Sequence, residues 1–215
     1  MQYLYFMNTD AAKQYSNLVF DLGAVLIDWN PRYLYSKIFA TAAETDFFLE
    51  NICTSDWNEE QDAGRSLQDA TEMLISEHPE YEAHIRAFYG RWKEMLGGPI
   101  EDTVNILKTL KESNRYKLYA LTNWSNETFP LALLFYPFLQ WFDGIVVSGR
   151  EKMRKPQAEF YELLLTRYNI DAENTLFIDD NQRNIAGAAA CGIEGVHFTS
   201  PLQLKEVLAQ KSILS

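Results

Sequence analysis

Residues 17–29 read Asn17-Leu18-Val19-Phe20-Asp21-Leu22-Gly23-Ala24-Val25-Leu26-Ile27-Asp28-Trp29, a short apolar run that stops abruptly at an aspartate. A run of this length bounded by small or polar residues reads as a buried strand. Three later runs have the same form, at 117–121, 144–147 and 175–178, and each gives way to small or polar residues. Helical patterns lie between them: residues 101–110 place Val104, Ile106, Leu107 and Leu110 on one face, and 158–168 repeats the theme. Ser200 can cap the last helix, with Pro201 at its first position. Strand and helix in alternation predict an α/β fold, a three-layer α/β/α Rossmann-like parallel sheet covered on both faces.

The interval 30–98 breaks that rhythm. It offers no strand but several helix signals: Asn30-Pro31, the capping-box-like Ser66-Leu67-Gln68-Asp69, and a stretch over 80–96 carrying Ile85, Phe88, Tyr89, Trp92 and Leu96. Gly97-Gly98-Pro99 ends it. The expected organisation is a core of residues 14–29 and 99–215 with an inserted small helical cap domain over 30–98, its crossing points near 28–31 and 97–99 serving either as a hinge or as a rigid connection. Its aromatic residues Tyr33, Tyr35, Phe39, Phe47 and Phe48 fall at helical spacing and read as cap core.

Composition narrows the function. The 215 residues are 47% hydrophobic and 23% charged, within the range of a folded domain. The formal net charge is −11 with no basic cluster, which argues against a nucleic-acid partner. No apolar stretch approaches the ~20 residues that span a bilayer, so no membrane partner is expected. Met1–Phe6 is apolar but lacks a basic leader and a long hydrophobic core, so a secretory signal is not expected and a cytoplasmic location is. Two cysteines far apart and three unpaired histidines support neither a disulfide framework nor a zinc site. Motifs for a P-loop, a dinucleotide fold and a serine-hydrolase elbow are absent.

Ligands of an open parallel sheet bind outside the carboxyl ends of its strands. The polar residues at those positions are Asp21, Thr122 and Asn123, Lys155 before Pro156, and Asp179-Asp180-Asn181. Singly each is ordinary turn chemistry; in this order they resemble the four motifs of the haloacid dehalogenase superfamily, and nearly the whole chain takes part. Phe20-Asp21-Leu22-Gly23-Ala24-Val25-Leu26, Met153-Arg154-Lys155-Pro156 and Phe177-Ile178-Asp179-Asp180-Asn181 resemble its small-molecule phosphatase branch, including sugar-phosphate phosphatases and the N-terminal phosphatase domain of soluble epoxide hydrolase. The resemblance implies a small phosphorylated substrate, with Asp21 as nucleophile and Thr122, the Asn123 amide and Lys155 on the transferring phosphoryl group. Asp21, the Gly23 carbonyl, Asp180 and Asp179 would hold Mg²⁺. The charges agree independently: three carboxylates face one lysine where a phosphate must enter, and a hard divalent cation restores the balance.

One position departs from the family pattern. Phosphatases of this superfamily carry a second aspartate two residues after the nucleophile as proton donor and acceptor, and here that residue is Gly23. General acid-base help is typically worth ~10²–10⁴ in rate. Asp28, just past the strand, is a candidate substitute, with an ordinary capping role as the alternative. The same gap leaves open a metal-independent 2-haloacid dehalogenase, whose halide leaves unprotonated, and a binding or regulatory scaffold. Substrate contacts are expected from the cap, at Trp57, Glu60 and Arg65, with Asp62 in the same polar stretch.

Overall fold

Leu18, Val19 and Phe20 are fully buried, which is why this run is a strand: its side chains alternate between two apolar layers. The computed structural model describes residues 13–214; the Met1–Phe6 stretch read above as no secretory signal lies outside them. The strands are β1 (Asn17–Phe20), β2 (Ile27–Trp29), β3 (Leu96–Pro99), β4 (Lys117–Thr122), β5 (Gly144–Val147), β6 (Thr175–Asp179) and β7 (Glu194–His197). Five of them form one parallel sheet in the order β5-β4-β1-β6-β7. In register, Phe20 stands between Ala120 and Ile178. The chain builds outward from β1 through β4 to β5, then returns to its other side for β6 and β7. That reversal puts the switch-point crevice of an open α/β sheet beside the end of β1.

The two faces sort by alternation. Leu18, Phe20, Leu118, Ala120, Leu176 and Ile178 pack with Leu107, Leu110, Leu204 and Leu208 from helices Glu101–Ser113 and Pro201–Gln210. Val19, Tyr119, Leu121 and Phe177 pack with Phe160, Tyr161, Leu164, Ile185 and Ala188 from helices Ala158–Tyr168 and Gln182–Ala190. The three-layer α/β/α arrangement read from the sequence is the one found. Ser200 accepts from the Gln203 amide at 3.2 Å, the cap anticipated for the last helix. Among the described residues no helix is long and apolar enough to cross a membrane.

Between β2 and β3 the chain carries helices Ala42–Asn51, Ser55–Asp62, Leu67–Glu77 and Glu82–Gly90. Tyr35, Phe48 and Phe88 form their aromatic centre, whereas Tyr33 and Phe47 are exposed. Ser66 accepts from the Asp69 amide at 3.0 Å and starts helix Leu67–Glu77 as expected. The helix expected over 80–96 is shorter, running over Glu82–Gly90; a 3₁₀ turn over Trp92–Met95 follows, and Leu96 begins β3. A strand at 96–99 and another at 27–29 were not anticipated. They pair antiparallel as the chain leaves and re-enters the core side by side. Gly98 reaches φ +111° there, and a Cβ at Gly97 would strike the Asp28 carboxylate, so the Gly-Gly pair serves close approach. Strand β7, at the sheet edge and largely half-exposed, also escaped the reading.

Candidate active site

Because the five strands run the same way, the residues ending β1, β4 and β6 emerge at one edge. The Asp21 amide donates to the Ile178 carbonyl at 2.8 Å, fixing the turn after β1 to β6. Asp21 Oδ1 accepts from the Leu22 amide (2.7 Å) and lies 3.0 Å from Lys155 Nζ. Lys155 is fully buried, and its Nζ also donates to Asp179 Oδ2 at 2.6 Å. The Asn123 side chain holds this lysine by its backbone: Oδ1 accepts from Lys155 N (2.9 Å) and Nδ2 donates to Lys155 O (3.1 Å). Asp179, with no exposed surface, further accepts from the Asn181 amide (2.8 Å) and from Asn184 Nδ2 (3.0 and 3.1 Å). Its oxygens are largely engaged, whereas Asp180 is exposed.

Burial raises the Asp21 carboxyl to about 7; Lys155 pulls it down, and Asp179 and Asp180 push it up again. Burial also raises Asp180, with Asp179 adding to it. Burial works against the Lys155 ammonium, but Asp179 and Asp21 outweigh it and its pKa rises. The lysine is therefore held as a cation, while Asp21 and Asp180 resist ionising.

Oxygens of Asp21, Asp179 and Asp180 all lie within 4.8 Å of one another. Three hard carboxylate donors around one cation leave an excess of negative charge, which suits Mg²⁺. The Thr122 hydroxyl, at the end of β4, is buried without a hydrogen-bond partner. An unsatisfied buried hydroxyl costs about 1–3 kcal/mol, and a bound phosphoryl oxygen would satisfy it. The residues present thus fit a magnesium ion beside an oxyanion.

A cavity of about 200 Å³ opens beside this edge. Gly23, Ala24, Asn123 and Asp180 form its floor, and Asn58, Asp62, Tyr89 and Trp92 of the helical insert line it with Trp29, Trp124, Ser125 and Thr128. The three insert residues expected at the substrate are placed elsewhere. Arg65 donates to Gln61 Oε1 (2.8 Å) and to the Trp57 carbonyl (3.1 Å) and lines a separate cavity with Gly64, Ser66 and Lys152. Glu60 pairs with Arg154 at 3.0 Å. Trp57 packs between Phe88 and Tyr89 in the insert's aromatic centre. Asp28 is likewise absent from the cavity lining; its Oδ2 accepts from Tyr33 OH at 2.6 Å, in the β2–β3 ribbon. Asn184 was missed as a site residue, whereas Asp62, read from the sequence only as a candidate substrate contact of the cap, does line the cavity. Asn184 had a weak signal, a polar residue in the first turn of the helix after Asp179-Asp180. For Asp62 no sequence signal separates it from the acidic residues around it.

The chain matches the haloacid dehalogenase-like hydrolase family over residues 18–198. It is 29% identical over 188 residues to the sesquiterpene phosphatase astK of Aspergillus oryzae, covering 86% of this chain and 90% of that protein. A phosphorylated carbohydrates phosphatase of Thermotoga maritima is 25% identical over 190 residues, covering 84% and 83%. Among solved structures, the magnesium complex of a haloacid-dehalogenase-family enzyme from Bacteroides thetaiotaomicron superposes with a TM-score of 0.68 at 20% identity, covering 87% of this chain and 95% of that one.

Proposed function

The chain belongs to the haloacid dehalogenase-like hydrolase family, and from that premise we propose that it is a Mg²⁺-dependent phosphatase working through an aspartyl-phosphate on Asp21. The observation that carries this reading is the meeting of Asp21, Lys155, Asp179 and Asp180 at one sheet edge with the unpartnered hydroxyl of Thr122. Asp21, the Gly23 carbonyl and Asp180 would hold the ion, with Asp179 orienting Lys155 beside them. When bound, Mg²⁺ would supply the positive charge that lets an anionic phosphate enter among carboxylates.

The chain's own groups do the rest. A carboxylate oxygen of Asp21 attacks phosphorus in line while Lys155 holds that carboxylate in place and favours its ionised form. The Thr122 hydroxyl and the Asn123 amide donate to phosphoryl oxygens as charge builds on them. The Asn123 side chain fixes the lysine backbone, and residues 30–98 act as a cap that excludes water.

For the alcohol portion, Trp29, Tyr89, Trp92 and Trp124 around the cavity favour an apolar group. That matches the class named for the Aspergillus relative and speaks against a sugar phosphate, which needs more hydrogen-bonding partners. Gly23 suits a dehalogenase, whereas Asp180 beside Asp179 would repel a free carboxylate substrate and has a ready use as a metal ligand beside a phosphate. The test is hydrolysis of a panel of phosphomonoesters, including isoprenyl monophosphates, with Mg²⁺ and with chelator, beside Asp21→Asn. Metal-dependent phosphate release abolished in a folded Asp21→Asn variant is expected. Halide release from a 2-haloacid in chelator, without phosphate release, would refute the reading, as would ligand binding without either activity.

A further inference from the structure

The proton shuttle that position 23 cannot supply has to stand where it reaches the leaving oxygen. Position 23 itself has room for one, since a Cβ there meets nothing within 4 Å. The space is left to the cavity. Among the residues lining that cavity only two are carboxylic acids, Asp180 and Asp62, and the first is assigned to the metal. Tyr89 also lines it, but its hydroxyl donates to Asn58 Oδ1 (3.0 Å) and accepts from Gln61 Nε2 (2.9 Å), and burial pushes its pKa well up.

We propose that Asp62, the last residue of helix Ser55–Asp62, is the general acid and base of this enzyme, delivered to the reacting phosphoryl group by the cap. This rests on the phosphatase reading of the same site. The helix is tied to the core where this requires it. One turn before Asp62, Glu59 pairs with Arg183 (3.0 Å) and Arg154 (3.7 Å), and Arg154 also donates to the Glu59 carbonyl (2.9 Å) and to Glu60 (3.0 Å). Asn58 Nδ2 donates to Asp62 Oδ2 at 3.3 Å. The charged and polar groups facing Asp62 are Glu59 on its own helix, Tyr89 from helix Glu82–Gly90, and Ser125, Arg154 and Asp21 from the core. Burial foremost, then Glu59, lift its carboxyl to about 7 against the pull of the Ser125 backbone and Arg154, with Asp21 adding a smaller push. Both protonation states are then populated near neutrality, as a group that must first give and then take a proton requires.

The steps balance. An Asp21 oxygen forms a bond to phosphorus, the bond from phosphorus to the ester oxygen breaks, and that oxygen takes the proton of the Asp62 carboxyl and leaves as the alcohol. Water then attacks the aspartyl-phosphate and yields a proton to the Asp62 carboxylate. The bond from phosphorus to Asp21 breaks, releasing inorganic phosphate and restoring both carboxyl groups.

Asp62→Asn keeps the shape and removes the proton. The experiment follows rapid-mixing kinetics with Mg²⁺ on p-nitrophenyl phosphate, whose leaving group needs no proton, and on a simple alkyl phosphate. The expected result is a burst of about one equivalent of nitrophenolate followed by turnover slowed roughly 10²–10⁴-fold, with no burst from the alkyl ester. Adding Gly23→Asp to Asp62→Asn is expected to restore alkyl-phosphate turnover and guards against a merely damaged cap, with circular dichroism checking the fold. Alkyl-phosphate turnover within about threefold of wild type in Asp62→Asn would overturn the proposal and leave the phosphatase reading standing. Loss of the aryl burst in a folded Asp62→Asn, without rescue by Gly23→Asp, would overturn it in favour of a binding role. Wild-type inactivity on both esters would remove the phosphatase reading and this inference with it.

Discussion

Replacing Lys155 by methionine removes the one cation paired, among the described residues, with the buried carboxylates Asp21 and Asp179 and nearly preserves the stem. The lysine is fully buried, with its ammonium 3.0 Å from Asp21, 2.6 Å from Asp179 and 5.5 Å from the centre of the Phe177 ring. Deleting one partner of a buried ion pair costs about 3–5 kcal/mol, because the other charge stays buried without compensation. Asp179 keeps its hydrogen bonds from Asn181 and Asn184, so the burden falls on Asp21. For a chain of this size each kcal/mol moves the melting temperature by about 2–4 °C, giving a fall of roughly 6–20 °C in the metal-free protein at pH 8. Two substitutes for the lost charge should shrink the deficit. A proton on Asp21, already held to about 7, should do so at pH 6, and so should saturating Mg²⁺ at pH 8. Thermal melts of both proteins, in chelator and in Mg²⁺ at each pH, test this. A metal-free Lys155→Met protein that melts within about 2 °C of wild type at pH 8 would refute the electrostatic account of the site.

Thr122→Val should stabilise the metal-free protein by about 1 kcal/mol, seen as a rise of roughly 2–4 °C in the melt, because it deletes a buried hydroxyl that bonds to nothing. The same change should lower kcat/KM on phosphomonoesters roughly ten- to a hundred-fold, the value of one hydrogen bond to a charged group. The metal-free wild type should also melt higher at pH 5.5 than at pH 8. Asp21 is raised from its ordinary 3.8 to about 7 in the folded chain, so its contribution is fully present below 3.8 and is lost as pH rises through about 7. Carboxylates held low by partners, such as Glu194 at about 2, act in the opposite sense only below about 4.5 and stay outside this window. A flat or inverted pH dependence between 5.5 and 8 would count against the raised Asp21.

The sheet and the floor of the site were legible because one physical rule writes both. A run buried on two faces must be apolar, so Asp21, just after β1, and Asp179-Asp180, at the end of β6 and just past it, stand out as the first charges. Lys155 was legible by its Lys-Pro wording, but its complete burial was not, since that depends on Asn123 reaching across from the end of β4. The β2–β3 ribbon escaped because Leu96-Gly97-Gly98-Pro99 has almost no strand propensity and is held by close backbone approach instead. Edge strand β7, with Glu194 and Gly195 among its four residues, carries too few apolar side chains to announce itself. The contacts of the insert were the least legible. Arg65 and Arg154 are both arginines in polar stretches, yet one closes on Gln61 four residues back and the other on Glu59 and Glu60, 95 and 94 residues away. Sequence distance hides that choice.

The pairing of Gly23 with a clamped insert has a mechanical consequence. In a site whose acid sits two residues after the nucleophile, the catalytic groups are complete on the core whether or not the cap is closed. With glycine there and Asp62 on the insert, proton transfer requires that helix Ser55–Asp62 be seated. The groups that seat it are partly exposed ion pairs of Glu59 and Glu60 with Arg154 and Arg183, each worth about 0–1 kcal/mol in water. They give registry without a deep energy well, and the apolar contact of Trp92 with Trp124, ring centres 5.9 Å apart, adds a water-excluding edge. An apolar alcohol bound among these rings would strengthen closure, and its release would weaken it. The arrangement therefore couples the presence of the leaving group to the presence of the proton it needs, and a small phosphate ester with no apolar portion should be a poor substrate even when it reaches Asp21.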